Sequence, residues 1–211
     1  MSFTPVLLPE ILQAIAAVIE SNAEEVTALD QAIGDGDHVF NLQRGLNALL
    51  PLAETLAQME WSTAWQKIGM TMMSTVGGAS GSLYGTLFLA MSKAATSQPA
   101  TLAGFAEIFN AGVDAVKHRG KAELGEKTML DVFIPVAQCL RQTAEDGTAL
   151  AKALEQVNQV ALAGMESTRD MLATKGRASF LDERSRGHID AGAKTGQLMI
   201  SAIIAVLLKH L

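Results

Sequence analysis

The 211-residue chain carries a formal net charge of -6 and shows no basic stripe able to neutralise several phosphates, which excludes direct nucleic-acid binding. A hydrophobic fraction of 49% with only 5% aromatics and ten methionines suits close helix packing better than a β-sandwich, and the length suits one domain around one well-filled core. The single cysteine, Cys139, cannot form an internal disulfide and lies in an apolar run, which reads as an inert buried thiol in a cytoplasmic protein.

The N-terminus lacks a basic region and places Pro9 and Glu10 inside its apolar stretch, so no signal peptide is expected. Leu8, Ile11, Leu12, Ile15, Ile19, Val26 and Leu29 recur at three-and-four spacing, which predicts one helix from about Pro9 to Leu29. It delivers Asp30 to a helix C-terminus, where the dipole disfavours an acid and a nearby cation would remove the conflict.

Asp30, Asp35 and Asp37 then form a D-x4-D-x-D cluster among Gly34 and Gly36. Three like charges this close repel one another unless a hard cation sits among them, and oxygen-only ligands suit Mg2+ or Ca2+. The spacing alone leaves a second reading open, a solvated interhelical turn rich in Asp and Gly because turns favour them. An EF-hand is excluded by the loop order and by the missing glutamate at the twelfth position.

Leu42, Leu46, Leu49 and Leu50 mark a second helix that should stop or bend near Pro51, and Trp61, Ala64, Trp65, Ile68 and Met72 mark a third, with its tryptophans read as core anchors. The run Gly77-Gly78-Ala79-Ser80-Gly81-Ser82 opens a fourth helix carrying Tyr84, Leu87, Phe88 and Met91. Small residues at a helix start let backbone N–H groups approach an anion, but they equally allow a close helix crossing, and neither the P-loop nor the dinucleotide fingerprint is present.

Leu102, Phe105, Phe109, Val113 and Val116 indicate a fifth helix, followed by a polar Gly120–Lys127 segment with the composition of a mobile loop. Thr128 offers an N-cap with Asp131 three positions on, opening a sixth helix that Pro135 should kink. A seventh helix is expected over Leu150 to Thr168 and a last one over Thr195 to Lys209, whose apolar run Leu198 to Leu208 is too short to span a bilayer. Between them, Lys175 to Ala193 is the most charged and least periodic stretch, and loops of that length are functional or disordered. The expected product is an all-α domain of about eight helices.

The Asp loop, the Gly-Gly-Ala-Ser-Gly turn, the Arg-Gly-Lys-Ala-Glu…Lys-Thr-Met stretch and the Lys-Gly-Arg-Ala-Ser…Glu-Arg-Ser…Gly-His-x-Asp-x-Gly-Ala segment occur in this order in one chain. Together they closely resemble the nucleotide-binding L subunit of dihydroxyacetone kinases, the DhaL family, over nearly the full length. The resemblance implies an antiparallel, up-and-down barrel of eight helices with ADP or ATP bound among the loops at one end. It implies two Mg2+ ions held by Asp30, Asp35 and Asp37, phosphate contacts from His38, Asn41, Gly78, Ala79 and Ser80, and an adenine packed on Met129 beside Gly120. Arg177 and the Asp190-to-Gly192 turn should close over the nucleotide, with Arg177 stabilising the transferring charge.

Nothing in the chain looks like a site for a small hydroxyketone, which fits a family whose separate K subunit holds dihydroxyacetone. The resemblance further implies a phosphoprotein M subunit of the sugar phosphotransferase system that recharges the bound ADP. Alternatives are a stand-alone subunit exchanging free ATP, and a nucleotide-loaded module modulating a transcription regulator. Two departures stand out: Val39 and Phe40 replace a Gly and an aliphatic residue, and Ala191 replaces a Pro. Val39 is expected to crowd the phosphate approach, and Ala191 to loosen the lid.

Overall fold

The computed structural model describes residues 4–211. The first three residues, on which the signal-peptide expectation partly rests, lie outside that range. Among the described residues all regular structure is helical, with ten α-helices and four 3-10 segments. The α-helices are α1 (Leu8–Ser21), α2 (Ala23–Ile33), α3 (His38–Leu49), α4 (Ala53–Ala57), α5 (Trp61–Thr75), α6 (Gly78–Ala95), α7 (Leu102–Gly120), α8 (Leu130–Glu145), α9 (Leu150–Ser167) and α10 (Ala191–Lys209).

Two expected helices are each broken. The first divides at Asn22, where the amide side chain donates to the Val18 carbonyl at 2.7 Å and the chain bends by 63°. The apolar stripe runs on through the bend, because Ile19 and Val26 are both fully buried, so periodicity alone does not register it. The second helix stops before Pro51, passes through the 3-10 turn Leu50–Leu52 and resumes as the short α4. Pro135 lies inside α8, which runs on past it.

Neighbouring helices follow a cyclic order: α3 packs on α5, α5 on α6, α6 on α7, α7 on α8, α8 on α9, α9 on α10, α10 on α1, and α1 back on α3. Their inward faces form one apolar cluster that includes Leu12, Leu42, Met72, Leu87, Val113, Val136, Val157 and Ile204. Trp61 and Trp65 stack at 4.7 Å between ring centroids, and Trp65 stacks on Phe88 at 5.5 Å, as expected of core anchors. The interior retains an almost wholly apolar cavity of about 270 Å3, bordered by Leu46, Trp65, Phe109 and Met199. Cys139 is half-buried rather than sealed, and burial raises its pKa so that the thiol stays protonated.

The last helix begins four residues earlier than the periodicity indicates, at Ala191, because Asp190 caps it by accepting from the Ala193 amide at 2.8 Å. At 19 residues it is long and apolar enough to cross a membrane, but half of that window is buried against the rest of the fold. Lys209 and His210 both reach Glu10, at 2.7 and 2.6 Å, which fastens α10 to α1. The bent helix α2 lies outside the main cycle and packs on α3, α10 and the 3-10 segment Arg177–Ser185, so it carries the Asp loop to the end where α3, α6, α8 and α10 begin.

Candidate functional site

Asp30 occupies the last turn of α2, which runs on to Ile33, while Asp35 and Asp37 follow in the turn before α3. Each offers a carboxylate oxygen, and these oxygens lie within 4.8 Å of one another. Opposite ligands of an octahedral Mg2+ stand roughly 4.2 Å apart, so the three acids are grouped on the scale such an ion requires, and their oxygen-only chemistry suits a hard cation. The loop is shaped for that grouping. The His38 amide donates to Asp30 Oδ2 at 3.1 Å, and the place where a Gly34 Cβ would stand is 2.2 Å from Asp30 Oδ1. Any side chain at position 34 would push that carboxylate away.

His38 joins three elements. Its Nδ1 lies 3.2 Å from Ser80 Oγ at the start of α6, and its Nε2 lies 2.8 Å from Thr195 Oγ1 in α10. Thr195 also donates to the Ala191 and Gly192 carbonyls, so the imidazole Nε2–H is the natural donor to Thr195 and Nδ1 the acceptor from Ser80. Burial lowers the His38 pKa, against the opposing pull of Asp30 and Asp37, which favours that neutral form.

Gly77 and Gly78 turn the chain into α6. Gly78 has φ +63°, a left-handed conformation that glycine adopts without steric cost, and Gly77 caps the helix with no side-chain acceptor for its first amides. The N–H groups of Gly78, Ala79 and Ser80 therefore stand in the first turn of α6, where helix-start donors lack intrahelical partners and are of the kind that bind anions. Asn41 is buried against this turn, and its Oδ1 accepts from Arg44 Nη2 at 3.2 Å, while Arg44 Nε donates to the Thr75 carbonyl at 2.5 Å. Arg44 was not singled out from the sequence, because one arginine on an exposed helix face carries no pattern.

Arg177 bonds Asp35 at 2.7 Å from the start of the 3-10 segment Arg177–Ser185. The charged stretch it belongs to is ordered. Glu126 accepts from Thr174 at 2.8 Å and pairs with Lys175 at 3.4 Å, and Ser185 is fully buried and bonds the Ala173 amide at 3.0 Å.

A second grouping faces α10. A Cβ on Gly192 would lie 3.6 Å from Met129 Cβ and 3.0 Å from Asp190 Oδ2, so Met129, Asp190 and Gly192 are near neighbours. Asp190 is half-buried, and its carboxyl is raised to about 6, chiefly by desolvation and against the Ala193 amide and Lys127. Gly120 ends α7 against Leu83 of α6.

Two expectations are corrected. Val39 points into the core and is 4% exposed, so it leaves the phosphate approach open; its neighbour Phe40 faces solvent, with Arg44 over its ring at 5.9 Å. Ala191 is buried in the first turn of α10, directly after the Asp190 cap. The Gly120–Lys127 segment is not a free loop throughout, because its far end is tied down: Lys127 is 1% exposed and donates to the carbonyls of Thr168, Arg169 and His188. Thr128 and Asp131 do pair, the Thr128 amide donating to Asp131 Oδ2 at 2.7 Å, with the helix starting one residue beyond Met129.

The DAK2 domain family matches residues 32–205. The ADP-binding subunit DhaL of PEP-dependent dihydroxyacetone kinase 1 from Listeria innocua is 43% identical over 186 residues, 88% of each chain. The corresponding Escherichia coli subunit is 40% identical over 187 residues, 88% of this chain and 89% of that one. The ADP-binding subunit DhaL of the PTS-dependent kinase from Lactococcus lactis is 40% identical over 189 residues, 90% of this chain and 91% of that one. Among solved structures, the dihydroxyacetone kinase of C. freundii in complex with AMP-PNP and Mg2+ superposes with a TM-score of 0.74 at 24% identity, over 94% of this chain and 33% of that longer one, a likeness of fold.

Proposed function

The chain belongs to the DAK2-domain family, and from that membership we propose that it is the ADP-binding subunit of a dihydroxyacetone kinase, passing a phosphoryl group from bound nucleotide to substrate on another chain. The observation that carries the reading is the convergence of Asp30, Asp35 and Asp37 with the open amides of Gly78, Ala79 and Ser80, joined through the His38–Ser80 contact. Anion-binding amides beside a cation-binding acid cluster make a site for a metal-chelated polyphosphate.

In this reading the three aspartates hold two Mg2+ ions. When bound, those ions supply charge neutralisation on the phosphates. Asn41 and the Gly77–Gly78 turn fix the cradle, His38 holds the Ser80 hydroxyl, and Met129 packs against the adenine beside Gly120, with Asp190 to Gly192 alongside. Arg177, half of an exposed ion pair with Asp35, swings onto the transferring charge, where a guanidinium stabilises the transition state. The substrate hydroxyl attacks the terminal phosphorus in line and gives its proton to a base on the partner subunit, while the bond to the departing ADP breaks.

The acceptor half of the site belongs to a K-type subunit that presents dihydroxyacetone, and the nucleotide is recharged in place by a phosphoprotein M subunit in the cytoplasm. The whole described chain acts as one nucleotide-binding unit. A role beside a transcription regulator rests on no residue described above.

Native mass spectrometry of the purified chain tests the reading, with one ADP and two Mg2+ expected. Activity with the K partner should require phosphorylated M protein. Multiple turnovers with ATP and K partner alone would establish the exchanging form instead, and absence of any nucleotide binding would overturn the assignment.

A further inference from the structure

Lys127 has a buried ammonium whose acceptors are carbonyl oxygens: Thr168 and His188, with Arg169 more distant at 3.4 Å. Those carbonyls belong to the segment following α9 and to the turn entering α10. One side chain therefore spans three elements remote in sequence. Thr168 reinforces the same seam, since its hydroxyl accepts from the Asp190 amide at 3.1 Å.

The backbone at this position makes the side chain conspicuous. Lys127 has φ +60°, a conformation that glycine takes without strain, and Gly125 two residues earlier does take it, at φ +90°. A lysine at such a position accepts both backbone strain and the desolvation of its charge, and burial indeed pulls its pKa down. The turn itself does not need it. The fully buried Asp131 carboxylate accepts the Gly125 amide at 2.5 Å and the Thr128 amide at 2.7 Å, which closes the turn onto α8 from within. What Lys127 adds is reach: two residues before Met129, it is anchored two residues before Asp190, and Met129 and Gly192 meet just beyond.

We propose that Lys127 is a positioning residue for the purine: its ammonium, caged by backbone carbonyls, holds the Met129 turn and the Asp190–Gly192 turn in the register that makes a base site. This rests on the nucleotide reading above. The aspartates and the Gly78–Ser80 amides lie on other elements and meet α10 through His38 and Thr195, so phosphate and metal binding depend on the cage less than base binding does.

The test compares two probes on the full chain by titration calorimetry with Mg2+ present, ADP and inorganic tripolyphosphate. Lys127→Met is expected to weaken ADP roughly 30-fold, as misplacement of a binding group does, while tripolyphosphate changes by less than about threefold. Lys127→Arg, which keeps the charge but not the length, should lose ADP selectively too, and it carries the test if Lys127→Met does not fold. An unchanged ratio of the two affinities, an equal loss for both probes, or failure of both variants to fold would overturn the proposal and leave Lys127 a purely structural residue. Failure of the wild-type chain to bind either probe would instead overturn the nucleotide reading.

Discussion

Arg177 and Asp35 meet at 2.7 Å, so a cation already rests on one of the three carboxylates grouped in the Asp loop. The arginine side chain is 71% exposed and its partner 33%, and such a pair contributes about 0–1 kcal/mol to folding. Arg177→Ala should therefore leave thermal stability nearly unchanged while lowering phosphoryl transfer by on the order of 1,000-fold, the scale of an arginine acting on transferring charge. Thermal melts and transfer rates with the K partner check the two halves separately. A variant that transfers at the wild-type rate would remove Arg177 from the mechanism.

Asp35→Asn keeps the shape of the loop but removes a negative charge from the cluster. The expected loss of transfer is roughly 100-fold or more, with an unchanged circular dichroism spectrum. Calorimetric titration with Mn2+ should show the corresponding loss of metal affinity. Full metal binding by the folded variant would sink the ligand assignment.

Gly34→Ala tests whether the loop backbone is shaped for the metal. Its methyl group would arrive 2.2 Å from Asp30 Oδ1 and 2.8 Å from the Asp30 carbonyl oxygen, so the carboxylate must move. Metal affinity should fall by on the order of tenfold or more, as when a group supporting a ligand is lost. Nucleotide retention through gel filtration should fall with it.

The half-buried Asp190 gives a pH signature. Its folded pKa of about 6 lies above the ordinary value of 3.8, so the folded chain holds the proton more tightly, and stability contributed by the neutral form is lost as pH rises from about 4 to 6. The shift corresponds to about 3 kcal/mol in order of magnitude. Asp190→Asn retains an oxygen for the Ala193 amide without the ionisation, so its melting temperature relative to wild type should climb across that window and level off above it. A difference independent of pH would show that Asp190 ionises in the fold as it does in water.

Much of this was legible in the sequence, for physical reasons that also explain the misses. Repeated apolar spacing marks any helix with a buried stripe, which is why α5 to α9 are anticipated closely. It is blind to Asn22, because a one-residue break with a side-chain bond to Val18 leaves the stripe intact. The Asp cluster is visible because several like charges crowd one loop. Lys127 and Thr195 are not, since a buried lysine is indistinguishable by composition from the solvated lysines around it, and a threonine in a helix advertises nothing. Val39 is misjudged because position beside the loop says nothing of direction; the helical turn after Asp37 sends it inward and Phe40 outward.

The closure of the ring has a consequence for how the molecule comes to exist. The helix that completes it, α10, is made after every other helix of the ring, and its neighbour α1 before them, with Glu10 waiting for Lys209 across 199 positions. Throughout elongation, α1 and α9 each present an uncovered apolar flank, and the turn that carries Asp190 and Gly192 does not yet exist beside Met129. Until then the ring is an open sheath of helices that depends on its closing nineteen-residue stave, and it stays exposed to aggregation until that segment leaves the ribosome.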